Sequence, residues 1–166
     1  MGKRSMIFVL DKFPTHIAYT KGKNPKFVKI NYQNIYNGRV HTFSRAIMIG
    51  NLHEYIKGAI PEGTPIGENL REIIEVYTVI NHDSISRRKS GEDYIIYWKK
   101  PVENYIPKWD IENLASIWSK VINDTLQELN YLHDDNITYI KEITYRFIPV
   151  EDLDSRKIII KFENYE

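Results

Sequence analysis

The chain has 166 residues, of which 42% are hydrophobic and 27% are charged, as in ordinary globular proteins. A chain of this length can bury a core without covalent staples, so we expect residues 1–166 to form one domain. It contains no cysteine, which excludes disulfides and thiolate metal sites. The apolar run Met6–Leu10 is too short for a signal peptide or a transmembrane helix, so we expect a cytoplasmic protein without a membrane segment.

The net charge of +1 conceals an uneven distribution along the chain. Residues 1–40 carry a net charge of +7, residues 41–100 are neutral, and residues 101–166 carry −6. A basic front and an acidic back suit a polyanionic ligand that is held beside a cluster of carboxylates. Solvated lysines on surface loops explain the same bias equally well.

The first segment predicts a strand followed by a basic arm. Ser5–Leu10 is rich in β-branched and aromatic residues, as in strands. Lys21, Lys23 and Lys26 then lie in a turn with glycine, asparagine and proline, before a short expected strand at Phe27–Tyr32. We expect this arm to lie outside the core and its lysines to contact phosphates, or else to form a plain solvated hairpin.

The middle of the chain predicts a helix and a long strand. The helix is expected from Thr42 or Ser44 to about Lys57, with Gly58 ending it. Its apolar face would comprise Phe43, Ile47, Leu52, Tyr55 and Ile56. Asn69–Ile80 is rich in Val, Ile, Thr and Tyr and predicts a strand.

A second basic loop is expected after that strand. Arg87, Arg88 and Lys89 lie in this loop, and Asp93–Trp98 would be the strand that returns from it. These three cations are further candidates for contacts with phosphates.

The clearest pattern in the chain is an amphipathic helix over Ile111–Asn130. Its apolar face comprises Ile111, Leu114, Trp118, Val121, Ile122, Leu126 and Leu129, and its polar face Glu112, Asn113, Ser116, Lys120, Asn123, Asp124 and Gln127. Strands are expected at Asn136–Ile148 and Arg156–Phe162. The order of elements predicts an α/β (α+β) fold, with a mixed or antiparallel sheet of about four to six strands and two main helices.

Acidic residues flank this helix. Asp110 and Glu112 lie at its start, and the Asp134–Asp135 pair follows its end. Carboxylates that converge without cysteine form a hard-oxygen site, which suits Mg²⁺ or Mn²⁺ rather than zinc. Each residue also has a purely structural explanation, because Asp110 suits a helix cap and the aspartate pair suits a turn.

A row of polar residues on the helix points to the same chemistry. Asn113, Lys120 and Asp124 share one face, and an ammonium near a phosphate stabilises the charge that develops during cleavage. Alternatively, Lys120 and Asp124 form only a surface ion pair.

The stretch from Lys108 to Asn136 resembles the signature of the RusA family of Holliday junction resolvases. That signature runs Lys-Pro-Asp-x-Asp-Asn-Leu, then a lysine, an aspartate four residues later, and an Asp-Asp pair about ten residues beyond. The matching pieces here are Asp110-Ile111-Glu112-Asn113-Leu114, Lys120, Asp124 and Asp134-Asp135. The interval before Lys120 is one helical turn longer than in short members, which leaves it on the same helix face.

The resemblance implies a homodimeric, Mg²⁺-dependent endonuclease of phage or prophage type that cuts four-way junctions and other branched DNA. Asp110, Glu112 and Asp135 would bind the metal and act in catalysis, with Asp134 sharing the role of Asp135. Lys120 would be the catalytic lysine near the scissile phosphate. Asn113 and Asp124 would support the site.

Two positions depart from the family pattern. Glu112 stands where the family has aspartate, and the extra methylene moves its carboxylate. Trp109 stands where proline or a basic residue is usual, and its indole would stack on an unpaired base or pack beneath the helix start. Glu112 motivates an alternative hypothesis, in which the chain keeps the fold as a DNA-binding or interaction protein and is impaired in catalysis.

Overall fold

The computed structural model describes residues 5–36, 42–79, 111–151 and 155–166. Within these ranges the chain has a mixed α/β fold with six strands and three helices, as predicted. The strands are β1 (Ser5–Asp11), β2 (His16–Ala18), β3 (Phe27–Lys29), β4 (Leu70–Val79), β5 (Ile140–Val150) and β6 (Lys157–Asn164). The helices are α1 (Tyr32–Tyr36), α2 (Thr42–Ala59) and α3 (Ile111–Glu128).

Four strands form the main sheet in the order β1-β6-β4-β5, and β2 pairs with β3 in a small hairpin. The β1–β6 and β6–β4 pairs are antiparallel, whereas β4 and β5 run parallel. A parallel pair needs a crossover connection, and α3 lies in the chain between these two strands. The sheet is therefore mixed, and the helix predicted to carry the site packs against β4 and β5.

The core lies between one face of this sheet and the two long helices. Alternate residues of β6 point inward, so Ile158, Ile160 and Phe162 are fully buried. Trp118 of α3 is also fully buried, and its ring meets that of Phe13 edge to face with centroids 5.7 Å apart. Aromatic and aliphatic burial of this kind supplies most of the favourable free energy of folding.

Helix α3 confirms the predicted apolar face with one correction. Leu114, Trp118, Val121, Ile122 and Leu126 are all buried, and so is Leu129, which follows the last residue of the helix, Glu128. The helix therefore ends two residues before the predicted Asn130, and the side chain of Ile111 lies outside what the structure describes. Asn123, which was expected on the polar face, is only 3% exposed. Its amide faces β4, where a carboxyl group accepts its hydrogen bond, so the helix buries a wider surface than its apolar stripe.

The N-terminal arm differs most from its prediction. The expected strand at Phe27–Tyr32 ends at Lys29, and α1 begins at Tyr32. The arm also contributes to the core, because Ile17 and Ile30 are almost completely buried. Its strands have three residues each, which is too short for alternation to be recognised in the sequence.

Two other boundaries also shift. Gly58 lies inside α2 rather than at its end, since the helix continues to Ala59. β5 begins at Ile140 rather than Asn136, because the Asn136 carbonyl accepts hydrogen bonds from the Tyr139 and Ile140 amides in a turn.

The apolar face of α2 is also narrower than expected. Phe43 is 66% exposed, whereas Met48, Leu52 and Ile56 form the buried row of that helix at four-residue intervals.

Several predictions concern residues outside the described ranges. They are the strand Asp93–Trp98, the loop with Arg87, Arg88 and Lys89, and the stretch that contains Trp109 and Asp110. In the part of the chain that is described, no helix is both long enough and apolar enough to cross a membrane.

Candidate active site

The chain leaves α3 through a tightly held reversal. Asn130 adopts a left-handed conformation with φ of 72°, as residues that terminate helices often do. The Tyr131 amide donates to the Leu126 carbonyl at 2.9 Å, and the Tyr131 hydroxyl donates to the Pro61 carbonyl at 2.8 Å. These bonds fix the direction in which the chain runs toward the Asp134–Asp135 pair.

Asp134 organises the turn that follows. Its Oδ1 accepts from the Asp135 amide at 2.7 Å, and its Oδ2 accepts from the Asn136 side chain at 2.9 Å. The backbone bond from Asp135 is the main reason that the pKa of Asp134 lies below its usual value. Both oxygens of Asp134 therefore hold the turn together.

Asp135 lies in an environment that resists its ionisation. Its pKa is raised, first by partial desolvation and then by the carboxyl groups of Asp134 and Asp124. Asp124 is on α3, eleven residues earlier in the chain. The reversal after α3 thus brings the Asp135 carboxylate within electrostatic range of Asp124 on the polar face of that helix.

Lys120 and Asp124 stand one helical turn apart on that face. Lys120 is exposed and Asp124 is half-buried, while Trp118, Val121 and Ile122 anchor the opposite side of the helix in the core. This anchoring fixes the rotation of α3, and with it the direction in which the ammonium group points.

A buried acid that sequence reasoning did not identify lies close to the site. Glu72 of β4 is completely buried. Its Oε1 accepts a hydrogen bond from the Asn123 amide at 3.0 Å and a longer one from the Ser119 hydroxyl at 3.5 Å. Burial and the nearby Asp135 carboxylate raise the pKa of Glu72 to about 8, although the two hydrogen bonds act in the opposite direction.

Two oxygens of this cluster are buried without a hydrogen-bond partner, namely Glu72 Oε2 and Asn123 Oδ1. Buried polar atoms are seldom left in that state, because each costs free energy. A proton on Glu72, or a cation, would satisfy such oxygens. The candidate metal-ligand atoms here are carboxylate and amide oxygens, which suit Mg²⁺ or Mn²⁺.

The described residues do not by themselves complete a metal site. Among residues 5–36, 42–79, 111–151 and 155–166, no three His, Asp or Glu side chains are placed to hold one ion together. Asp110, which was expected to supply a ligand, lies outside these ranges.

Glu112 and Asn113 lie at the start of α3, farther along the helix axis. Eight residues separate Glu112 from Lys120, which corresponds to a rise of about 12 Å. Glu112 is exposed and Asn113 is half-buried. Among the described residues, Asp124, Asp134 and Glu72 are carboxylates that lie within electrostatic range of Asp135.

The basic residues of the N-terminal arm occupy the connection between β2 and β3. Lys21, Lys23 and Lys26 are all exposed there. Gly22 adopts a φ of +111°, which L side chains rarely tolerate, and so permits the turn. The hairpin is joined to α2 by a hydrogen bond of 3.2 Å from the Asn51 side chain to the Ala18 carbonyl.

Comparison with known proteins adds no family assignment. The chain matches no family model, and no curated protein matches it. The site must therefore be judged on its own chemistry and on the spacing of its residues.

The sequence of β4 contains a pattern from which a buried, partnered Glu72 could have been predicted. The strand Leu70–Val79 is apolar apart from Arg71, Glu72, Glu75 and the polar Tyr77 and Thr78. A glutamate at the position that faces the core of such a strand needs a partner, which points to a polar group on the facing helix. The partner itself, Asn123, could not be chosen without the register between helix and sheet.

Proposed function

We propose that this chain is a Mg²⁺-dependent endonuclease that cleaves branched DNA in the manner of RusA-type Holliday junction resolvases. The observation that carries the proposal is the approach of Asp135 to Asp124, beside Lys120 on the same helix face. The RusA-like spacing of these residues requires such an approach, whereas helix capping or an isolated turn does not. The basic arm supports a polyanionic substrate.

In this proposal each described residue has one task. Asp135 binds the metal, and Asp134 shapes the turn that presents it. Lys120 donates hydrogen bonds to the scissile phosphate and stabilises the negative charge that develops there. Asp124, one turn away, orients the ammonium group of Lys120.

The predicted ligands at Asp110 and Glu112 would complete the coordination. When bound, the metal would supply a water of lowered pKa and neutralise phosphate oxygens. The water oxygen would bond to phosphorus as the bond from phosphorus to the leaving sugar oxygen breaks, and the proton lost by the water balances the one that the leaving oxygen takes up.

The proposed substrate also implies that the protein acts as a dimer. A four-way junction has two strands to cut, and a two-fold symmetric dimer presents one site to each of them. We therefore propose a homodimer that acts in the cytoplasm.

Cleavage of a synthetic four-way junction in Mg²⁺ tests the proposal. Asp110→Asn, Asp135→Asn and Lys120→Met should each lower the single-turnover cleavage rate by at least about a hundredfold. Junction binding measured in EDTA should change little in the two aspartate variants. Asp11→Asn on β1 is the matched control, because it removes an exposed acid that has no role in the proposal and should cut like the wild type. Wild-type rates in Asp135→Asn and Lys120→Met would reject the site.

A second function is favoured by Glu112. Glutamate replaces the aspartate of the RusA pattern, and a displacement of about 1 Å at a catalytic group can cost roughly a hundredfold in rate. The chain would then bind branched DNA without cutting it. Titration with Mn²⁺ separates the two functions, since a protein that only binds DNA needs no ion at Asp135 and leaves the junction intact.

A further inference from the structure

Two tyrosines on α1 form an aromatic pair near the candidate site. Tyr32 and Tyr36 are one helical turn apart, their ring centroids lie 4.9 Å apart, and their planes are tilted by 32°. Tyr32 is 41% exposed and Tyr36 is half-buried. Part of this aromatic surface is therefore accessible at the edge of the fold.

The pair is held rigidly although its helix is short. A helix of five residues is not stable alone, so tertiary contacts must fix it. Asn31 caps it by accepting a hydrogen bond from the Asn34 amide at 2.7 Å. Ile35, between the two tyrosines, is 1% exposed in the core and anchors the other side of the helix.

Arg45 of α2 fastens the C-terminal end of α1. Its Nε donates to the Ile35 carbonyl at 2.8 Å, and its Nη2 donates to the Tyr36 carbonyl at 3.4 Å. The guanidinium also lies over the Tyr36 ring, 5.3 Å from the centroid. The rings are thus fixed in place before any ligand arrives, which lowers the entropy that binding would cost.

The pair borders the candidate catalytic residues. Helix α1 packs against α3. Burial raises the pKa of Tyr36, Asp124 raises it further, and Lys120 and Arg45 oppose this change. Tyr36 therefore lies within electrostatic range of both Lys120 and Asp124.

The chemistry of the Tyr32–Tyr36 surface suits an unstacked nucleobase. Flat aromatic rings bind the π-faces of nucleobases without regard to sequence, provided that the bases are not stacked in a duplex. The cations beside the rings suit the phosphates that flank such a base. Branch points and single-stranded ends supply unstacked bases, whereas a continuous duplex does not.

We propose that Tyr32 and Tyr36 form a stacking platform for an unpaired nucleobase next to the phosphate held at Lys120. This inference rests on the proposed function, because it assigns the base-binding part of the same DNA site.

The test uses a four-way junction that carries 2-aminopurine at the branch point, titrated with full-length protein in EDTA. Stacking on a tyrosine ring quenches 2-aminopurine fluorescence. Wild type should quench it, whereas Tyr32→Ala should not and should bind the junction about tenfold more weakly. Tyr32→Phe and Tyr32→Trp, which keep a flat ring, should restore both properties. Affinity for linear duplex should stay unchanged in all three variants.

Tyr165 provides a matched control. It is 40% exposed, and the Arg71 guanidinium lies 5.6 Å from its ring centroid, much as Arg45 lies over Tyr36. Tyr165→Ala should quench and bind like the wild type. If Tyr32→Ala loses its folded circular dichroism spectrum, Tyr32→Leu replaces it, since leucine keeps an apolar contact with Tyr36 but has no flat ring.

The outcomes separate the platform from the nuclease. Quenching that persists in the Ala or Leu variant, or that is lost equally in Tyr165→Ala, overturns the platform while junction cleavage still supports the proposed function. Ring-dependent quenching without cleavage supports the platform and rejects the nuclease. A wild-type protein that neither binds nor quenches the junction overturns both.

Discussion

Two buried glutamates lie three residues apart on β4, and their surroundings differ. Glu72 is completely buried and Glu75 is 5% exposed. Because successive side chains of a strand point to opposite faces, Glu72 faces α3 and Glu75 faces the other side of the sheet. Their surroundings give their pKa values opposite shifts.

Glu75 is paired with cations from both neighbouring strands. Lys161 Nζ lies 2.8 Å from its Oε1, and Arg146 Nη1 lies 3.4 Å from its Oε2. Burial alone would raise the pKa of Glu75, but these two cations outweigh it and hold the pKa below the usual value. This carboxylate contributes to sheet stability across three strands.

Among the described residues, the hydrogen-bond donors to Glu72 are the neutral Asn123 and Ser119, and the charge that shifts its pKa is the acid Asp135. Burying an acid in such surroundings reduces stability, because the charged form loses hydration that no cation replaces. Proteins tolerate this cost mainly where the group serves a function. The contrast on β4 therefore agrees with the proposal that the functional site lies on the α3 side of the sheet.

The largest effect is expected for Glu72→Gln. At pH 4 the wild-type group is protonated in both the folded and unfolded states, so the substitution should be nearly neutral. As pH rises from 4.5 toward about 8, the unfolded state ionises first and the wild type loses stability. The variant should therefore unfold with a free energy higher by up to about 5 kcal/mol at pH 9.

Urea denaturation of both proteins at pH 4, 7 and 9 measures this difference. Glutamine can also donate to Asn123 Oδ1, which satisfies an oxygen that is otherwise unpartnered. If the Glu72→Gln variant is less stable than the wild type at pH 9, then the ionised Glu72 does not destabilise the fold and does not differ from Glu75 in this respect.

Glu75→Gln should lower the free energy of unfolding, whereas Glu72→Gln should raise it. A lowered pKa gives stability that is present above the unfolded value of 4.5 and is lost as pH falls through the lower folded value. The variant should lose about 1–3 kcal/mol at pH 7 and much less at pH 3. Urea denaturation at pH 3 and pH 7 measures this difference, and an equal loss at both pH values would show that the two cations do not act on Glu75.

The smallest effect is expected for Ser119→Ala. Its hydrogen bond to Glu72 is long, at 3.5 Å, and favours the ionised carboxylate. We expect a loss below about 1 kcal/mol, and only above pH 8 where Glu72 ionises. Thermal unfolding at pH 6 and pH 9 should show a larger difference from wild type at pH 9. An equal difference at both values would mean that Ser119 does not act through Glu72.

The sequence predicted the features that depend on regular patterns. The period of α3 gave its buried face, and the branched residues of β1, β4 and β6 gave the strands of a mixed sheet. It could not give α1 or β2, whose five and three residues are too short for a period. It also missed the pairing of Glu72 with Asn123, because that contact depends on how a helix and a strand far apart in sequence are brought together.

The candidate site, too, could be predicted from the sequence only in part. Motif spacing selected Lys120, Asp124, Asp134 and Asp135, and the structure brings Asp135 within electrostatic range of Asp124 and Asp134. The metal-binding roles of Asp110 and Glu112 remain predictions. The Tyr32–Tyr36 pair could not be selected among twelve tyrosines until the fold placed it beside α3.

The most direct test of the account is anomalous scattering from crystals of the protein soaked in MnCl₂. We expect a manganese peak within about 2.0–2.6 Å of an Asp135 carboxylate oxygen. The peak should be absent from Asp135→Asn crystals that are soaked in the same way. A wild-type crystal with no manganese at Asp135, or a peak that survives in Asp135→Asn, would contradict a metal-dependent nuclease at this site.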